Sequence, residues 1–129
     1  MNSKQMTVLV VEDNEDIRNL LTMVLENEGY TVLKALDGTD GLEKLEVNKV
    51  DLILLDVMMP GISGLDLLKI IRAHKKKEIN SLPICMITAK TSVEDIDLAL
   101  ELGATSYIIK PFRPVVVAEK VNSLLATLE

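Results

Sequence analysis

Apolar and polar positions alternate between two rhythms along the chain. Short apolar runs occur at Met6–Val11 (MTVLVV), Thr31–Ala35 (TVLKA), Asp51–Leu55 (DLILL), Pro83–Thr88 (PICMIT) and Ser106–Lys110 (SYIIK). Three of them are almost continuously apolar, which suits strands covered on both faces, as in a parallel sheet. A helical rhythm follows each run. Ile17, Leu20, Leu21, Val24 and Leu25 form one stripe. Val93, Ile96, Ala99 and Leu100 form another, and Val117, Val121, Leu124, Leu125 and Leu128 a third. Their i, i+3, i+4 spacing is that of a helix with one buried face.

The punctuation agrees with this division. Gly29 and Gly103 stand where helix C-terminal caps belong. Thr91 with Glu94 matches a capping box. Asp13 or Asn14 can cap the first helix, and Pro114 suits the first turn of the last. Met59-Pro60-Gly61 reads as a turn. Five strand–helix units with short links predict one α/β domain with a parallel sheet. Right-handed crossovers then put helices on both faces, a doubly wound arrangement. The domain is expected to span residues 1–129, with a flexible N-terminus over about 1–5 and fraying in the last residue or two.

Bulk composition narrows the function. The 129 residues are 48% apolar and carry 20 Asp+Glu against 14 Lys+Arg. That acidity argues against a nucleic-acid surface, which needs a basic field. Three aromatics, Tyr30, Tyr107 and Phe112, are too few for base stacking. The one basic run, Lys75–Lys77, reads as a solvated helix end. No run approaches the roughly 20 apolar residues of a membrane span, and no secretory leader is evident in MNSKQM. The single cysteine, Cys85, excludes an internal disulfide and reads as an inert core residue. These features point to the cytoplasm.

In a parallel sheet ligands bind beyond the carboxyl ends of the strands. The first strand ends in Glu12-Asp13, the third in Asp56, the fourth in Thr88-Ala89 and the fifth in Lys110-Pro111. Two carboxylates about 5 Å apart repel by roughly 3 kcal/mol at an effective dielectric near 20. Three clustered acids therefore call for more positive charge than Lys110 provides. A hard divalent cation with oxygen ligands meets that need, and magnesium uses few carboxylates plus water. Thr88 and the Ala89 N–H can donate to a phosphoryl oxygen. An aspartate beside such an electrophile is a competent nucleophile.

The motifs VLVVEDN (8–14), DLILLDVMMPGISGLDLL (51–68), ITA (87–89) and GATSYIIKPF (103–112), in this order and spacing, resemble the receiver domains of two-component response regulators over essentially the whole chain. The resemblance implies the flavodoxin-like strand order 2-1-3-4-5 and assigns roles. Asp56 matches the phosphoacceptor, and Asp13 and Asp56 the direct metal ligands. Glu12 would act through water, and Met58 would give its backbone carbonyl to the metal. Mg2+ is the implied cofactor, with Mn2+ able to substitute. Thr88 and Lys110 match the hydroxyl and amine that meet the phosphoryl group, and the Lys110–Pro111 bond is expected to be cis. Tyr107 matches the aromatic that rotates inward with Thr88, repacking the face of the fourth helix, fifth strand and fifth helix. Met58 and Lys90 would flank the hydrolytic water.

The implied partners are a histidine kinase or histidine phosphotransfer protein, and a downstream target or output domain. A phosphorylation-dependent dimer is compatible with the family, and residues near Asp16, Asn19, Pro111 and Phe112 would shape kinase choice. The implied role is signalling with self-supported phosphoryl transfer and loss, not turnover.

Rival readings fit less well. An aspartate-dependent phosphohydrolase keeps its nucleophile at the end of the first strand with a second Asp two residues on, whereas Asp13 is followed by Glu15. A flavin module needs a Ser/Thr/Gly-rich loop where Glu12-Asp13 stands. A degenerate, phosphorylation-independent receiver would lack part of the acid–Thr–Lys set. His74, beside lysines at a helix end, reads as a dipole-compatible cation rather than a relay histidine. The Gly38/Gly41 and Gly61/Gly64 pairs do not make a dinucleotide fingerprint. Both a free-standing regulator and a receiver from a longer protein fit the sequence.

Overall fold

The computed structural model describes residues 6–89 and 93–126. The elements run β1 (Thr7–Val11), α1 (Glu15–Asn27), β2 (Thr31–Ala35), α2 (Gly38–Val47), β3 (Leu52–Asp56), α3 (Gly64–Arg72), α4 (Lys77–Asn80), β4 (Ile84–Ala89), α5 (Val93–Glu101), β5 (Ser106–Lys110) and α6 (Pro114–Ala126). All neighbouring strands pair in parallel, in the order β2-β1-β3-β4-β5. This is the flavodoxin-like α/β architecture expected.

Strand alternation sorts the apolar residues into two cores. Leu9, Val11, Ile53, Leu55, Ile84 and Met86 face the layer of α2, α3, α4 and α5. Val8, Val10, Leu52, Leu54, Cys85 and Ile87 face α1 and α6. The central strands β1, β3 and β4 are therefore buried on both sides, while the edge strands β2 and β5 are half open. Cys85 is fully buried, and burial pushes its thiol up to about 12.

Local chemistry sets the helix ends. The side chains of Asn14, Asp37 and Ser63 cap α1, α2 and α3 by accepting from the N–H groups of Ile17, Asp40 and Asp66. After α1, the Gly29 N–H reaches the Glu26 carbonyl at 3.0 Å and the Tyr30 N–H the Leu25 carbonyl at 3.2 Å. That closure puts Gly29 at φ 96°, a conformation glycine adopts without strain.

Several expectations need correction. Between α3 and β4 the chain forms an additional short helix, α4. Its sequence, KEIN, holds a single apolar residue, Ile79, too few to show a period, and burial of that side chain seats the turn. Lys75–Lys77 is solvated but leads into α4 rather than ending a helix. On α5 Ala99 is the buried residue, and Val93 and Leu100 are exposed, so the apolar stripe is only partly covered. The strand bounds shift by a residue, so that Asp56 and Ala89 belong to their strands. Lys90, Thr91 of the capping box, Leu128, and the terminus over 1–5 lie outside the described residues.

Gly64 shows the closest packing. A Cβ there would stand 2.1 Å from the Asp56 carbonyl oxygen and 2.7 Å from the Val57 Cα. The Gly64 N–H donates to the Val57 carbonyl at 3.0 Å. The start of α3 thus lies directly on the end of β3. Gly64→Ala is expected to cost about 3 kcal/mol, read as a lower urea midpoint with unchanged slope.

Candidate functional site

The register lines up the strand ends. Val11 stands opposite Leu55, Asp56 opposite Ile87, and Ala89 opposite Lys110. Residues far apart in sequence thus meet at one edge. One oxygen from each of Glu12, Asp13 and Asp56 lies within 4.8 Å of the others. Glu12 is fully buried and Asp56 nearly so, whereas Asp13 is exposed.

Few donors offset this charge. Lys110 Nζ lies 3.2 Å from Asp56 Oδ2 and 3.6 Å from Glu12 Oε1. Backbone N–H groups supply two more contacts: Met58 to Asp56 Oδ1 at 3.2 Å and Asn14 to Glu12 Oε2 at 3.1 Å. Burial, then the neighbouring Asp56 carboxyl, pushes Glu12 up to about 7, against the pull of the Asn14 N–H and Lys110.

Two buried oxygens at this edge, Glu12 Oε1 and Thr88 Oγ1, have no hydrogen-bond partner among the described residues. Such atoms are costly unless a ligand completes them. The all-oxygen donor set fits a hard cation, and an unspent Thr88 hydroxyl beside a lysine fits an anionic group. The carboxylates thus suit a metal ion, and Thr88 and Lys110 suit the oxygens of a phosphoryl group.

The remaining sequence-selected residues divide. Ala89 ends β4 next to Lys110. The Lys110–Pro111 bond is cis. Met58 directs its N–H at Asp56 and leaves its side chain exposed. Tyr107 is exposed on β5, with Lys120 Nζ 6.0 Å from its ring centroid. His74 Nε2 pairs with Glu46 at 2.6 Å, away from the acid cluster. Gly64 was missed as a contributor to the site. Only its close approach to Asp56 identifies it, and a glycine after a turn gives no such signal in sequence.

The response regulator receiver domain family model matches residues 8–122. The chain belongs to that family. The receiver is 44% identical over 129 residues to the alkaline phosphatase synthesis transcriptional regulatory protein PhoP of Bacillus subtilis, covering 100% of this chain and 51% of that protein. It is 38% identical over 125 residues to the DNA-binding response regulator MtrA of Mycobacterium tuberculosis, covering 97% and 53%. The receiver therefore spans about half the length of the curated relatives it matches. Among solved structures it superposes on the chemotaxis protein CheY4 of Vibrio cholerae with TM-score 0.85 at 32% identity, covering 92% of this chain and 98% of that one. A putative response regulator from Chloroflexus aurantiacus gives TM-score 0.88 at 34% identity, covering 95% and 98%. The receiver is a signalling domain of two-component systems, a family whose standard role is to accept a phosphoryl group. Among the described residues no helix is long and apolar enough to cross a membrane.

The raised Glu12 has a consequence for stability. A carboxyl that binds its proton more tightly when folded adds stability below its unfolded value, near 4.5, and loses it as pH rises to about 7. In chelator-treated protein, the melting temperature of the wild type should fall relative to Glu12→Gln between pH 4.5 and 7. Thermal scans of both proteins across that window provide the check.

Proposed function

We propose that Asp56 is the phosphoacceptor of this receiver, taking a phosphoryl group from a phosphohistidine on a kinase or phosphotransfer protein. The observation that carries the reading is a buried Asp56 at the end of β3, 3.2 Å from Lys110 Nζ and clustered with Glu12 and Asp13. Asp13, Asp56 and the Met58 backbone carbonyl would hold Mg2+, or Mn2+ in its place, with Glu12 acting through water. A dication bound there would neutralise crowded carboxylates and developing phosphoryl charge.

The side chains account for the transfer. An Asp56 carboxylate oxygen attacks phosphorus in line, the donor's N–P bond breaks, and the imidazole nitrogen keeps the electron pair. Lys110 pairs with a phosphoryl oxygen, while Thr88 Oγ1 and the Ala89 N–H donate to another. Loss follows when water attacks phosphorus, returning the Asp56 carboxylate and inorganic phosphate. The domain thus assists its own phosphorylation and dephosphorylation without serving as a turnover enzyme. Asp56→Asn, incubated with acetyl phosphate and Mg2+, should show no phosphate adduct by intact mass; an adduct equal to wild type would overturn the assignment.

The phosphoryl group brings about −1.5 to −2 charges. Thr88 and Lys110 are drawn toward it, and the space Thr88 leaves admits Tyr107. The face of α5, β5 and α6 repacks, a bistable element biased by a local charge event. The added helix α4 makes these the fifth and sixth helices of this chain. That face would signal to an output domain or a separate protein target, and could support a phosphorylation-dependent dimer. The acidic single domain, 1–129, would act in the cytoplasm without binding nucleic acid itself. A beryllofluoride adduct should shift the NMR signals of Tyr107 and of α5; unchanged shifts there would exclude the switch.

A further inference from the structure

We propose that Arg18 is a positioning residue for the acid cluster, holding the main chain of Glu12 and Asp13 so that their carboxylates are pre-aligned for the cation. The inference rests on the magnesium reading above and extends it to a residue outside the acid–Thr–Lys set.

Arg18 lies one turn into α1, and its own N–H donates to the Asn14 carbonyl at 2.9 Å. Its guanidinium Nη1 turns back and donates to the Glu12 carbonyl at 2.9 Å and the Asp13 carbonyl at 3.4 Å. These are the main-chain oxygens of the two acids at the end of β1. The Asn14 N–H binds Glu12 Oε2, and the Asn14 side chain caps the helix that carries Arg18. Loop and helix therefore close on each other: α1 presents Arg18, Arg18 fixes the Glu12 and Asp13 carbonyls, and Asn14 joins both. The Glu12 N–H is also fixed, to the Ala35 carbonyl at 3.1 Å. Asp13 is exposed, so the orientation of its carboxylate depends on how firmly its main chain is held. A charge-assisted bond from a planar guanidinium is well suited to that task.

Two effects of Arg18 on a bound cation oppose each other. Its positive charge disfavours a nearby dication, while its hydrogen bonds remove the cost of ordering the loop. The guanidinium is bonded to the Glu12 and Asp13 carbonyls, inside a Debye length of about 8 Å, so the solvent at exposed Asp13, more than salt, weakens its charge effect. Partners that orient metal ligands typically change affinity by about 10- to 100-fold. Positioning is therefore expected to win.

Arg18→Met keeps the apolar stem and removes both hydrogen bonds and charge. Arg18→Lys keeps the charge and can reach fewer carbonyl contacts. Mg2+ affinity is measured by calorimetry on each protein, with amide NMR shifts of Asp13 and Asn14 in the metal-free state. Positioning predicts a Kd raised about tenfold in Arg18→Met, an intermediate rise in Arg18→Lys, and displaced Asp13 and Asn14 amides in both. An unchanged or tighter Kd in Arg18→Met overturns the proposal, whatever happens to the melting temperature, because it leaves only a structural or repulsive role. If Arg18→Met does not fold, Arg18→Lys and Arg18→Gln decide by the same criterion. Asp13→Asn separates the two levels. If it binds Mg2+ like the wild type, the metal reading falls and the role of Arg18 with it. If it loses binding while Arg18 variants keep theirs, only the Arg18 proposal fails.

Discussion

The fold concentrates negative charge where it is hardest to tolerate. Glu12 and Asp56 are buried at adjacent strand ends, Asp13 adjoins them, and Lys110 faces the group. Carboxylates this close repel by several kcal/mol at a protein-like dielectric. The molecule answers with Lys110, with two backbone N–H groups and with a raised proton affinity at Glu12. Each answer is partial: among the described residues Glu12 Oε1 and Thr88 Oγ1 have no hydrogen-bond partner, as fits a place for a ligand. A site stressed in this way suits a dication, which would offset the crowded carboxylates, and the charge of a phosphoryl group would in turn be balanced by that cation and Lys110.

The rest of the structure holds that arrangement in place. Parallel pairing at a fixed register sets Glu12, Asp56, Thr88 and Lys110 at one edge, and two separate cores clamp the central strands from both faces. Gly64 lets the start of α3 lie against the main chain of Asp56, and Asn14 and Arg18 tie the acidic loop to α1. The side of α5 and β5 is built differently. It buries less, and Val93, Leu98, Leu100, Tyr107 and Ile109 are exposed. Regions with few buried apolar contacts open at lower cost than cores. A well-packed site beside a lightly packed face is what the proposed coupling of a local charge event to a surface readout requires.

Much of this was legible along the chain. The β1, β3 and β4 runs are apolar enough to require cover on both faces, and the strand-end rule then gathers Glu12, Asp13, Asp56, Thr88 and Lys110 without any contact being known. The α4 turn was not legible, because one apolar residue, Ile79, makes no period. The amphipathic pattern of α5 misled, since a stripe states which residues could be buried and not whether anything lies over them. Gly64 and Arg18 gave no local signal, because the need for one and the reach of the other exist only once β1, β3, α1 and α3 are docked.

The sequence by itself determined the element types, the parallel class of the sheet and the residue set at its carboxyl edge. Hydrophobic period and strand-end chemistry are local properties that any reader of the chain can count. Tertiary structure alone decided the distances within the acid cluster, the Thr88 hydroxyl with no hydrogen-bond partner among the described residues, the exposure of Tyr107 and the guanidinium clip on the acidic loop. Those depend on register and on which faces meet, and both are set by packing between segments that no local pattern encodes.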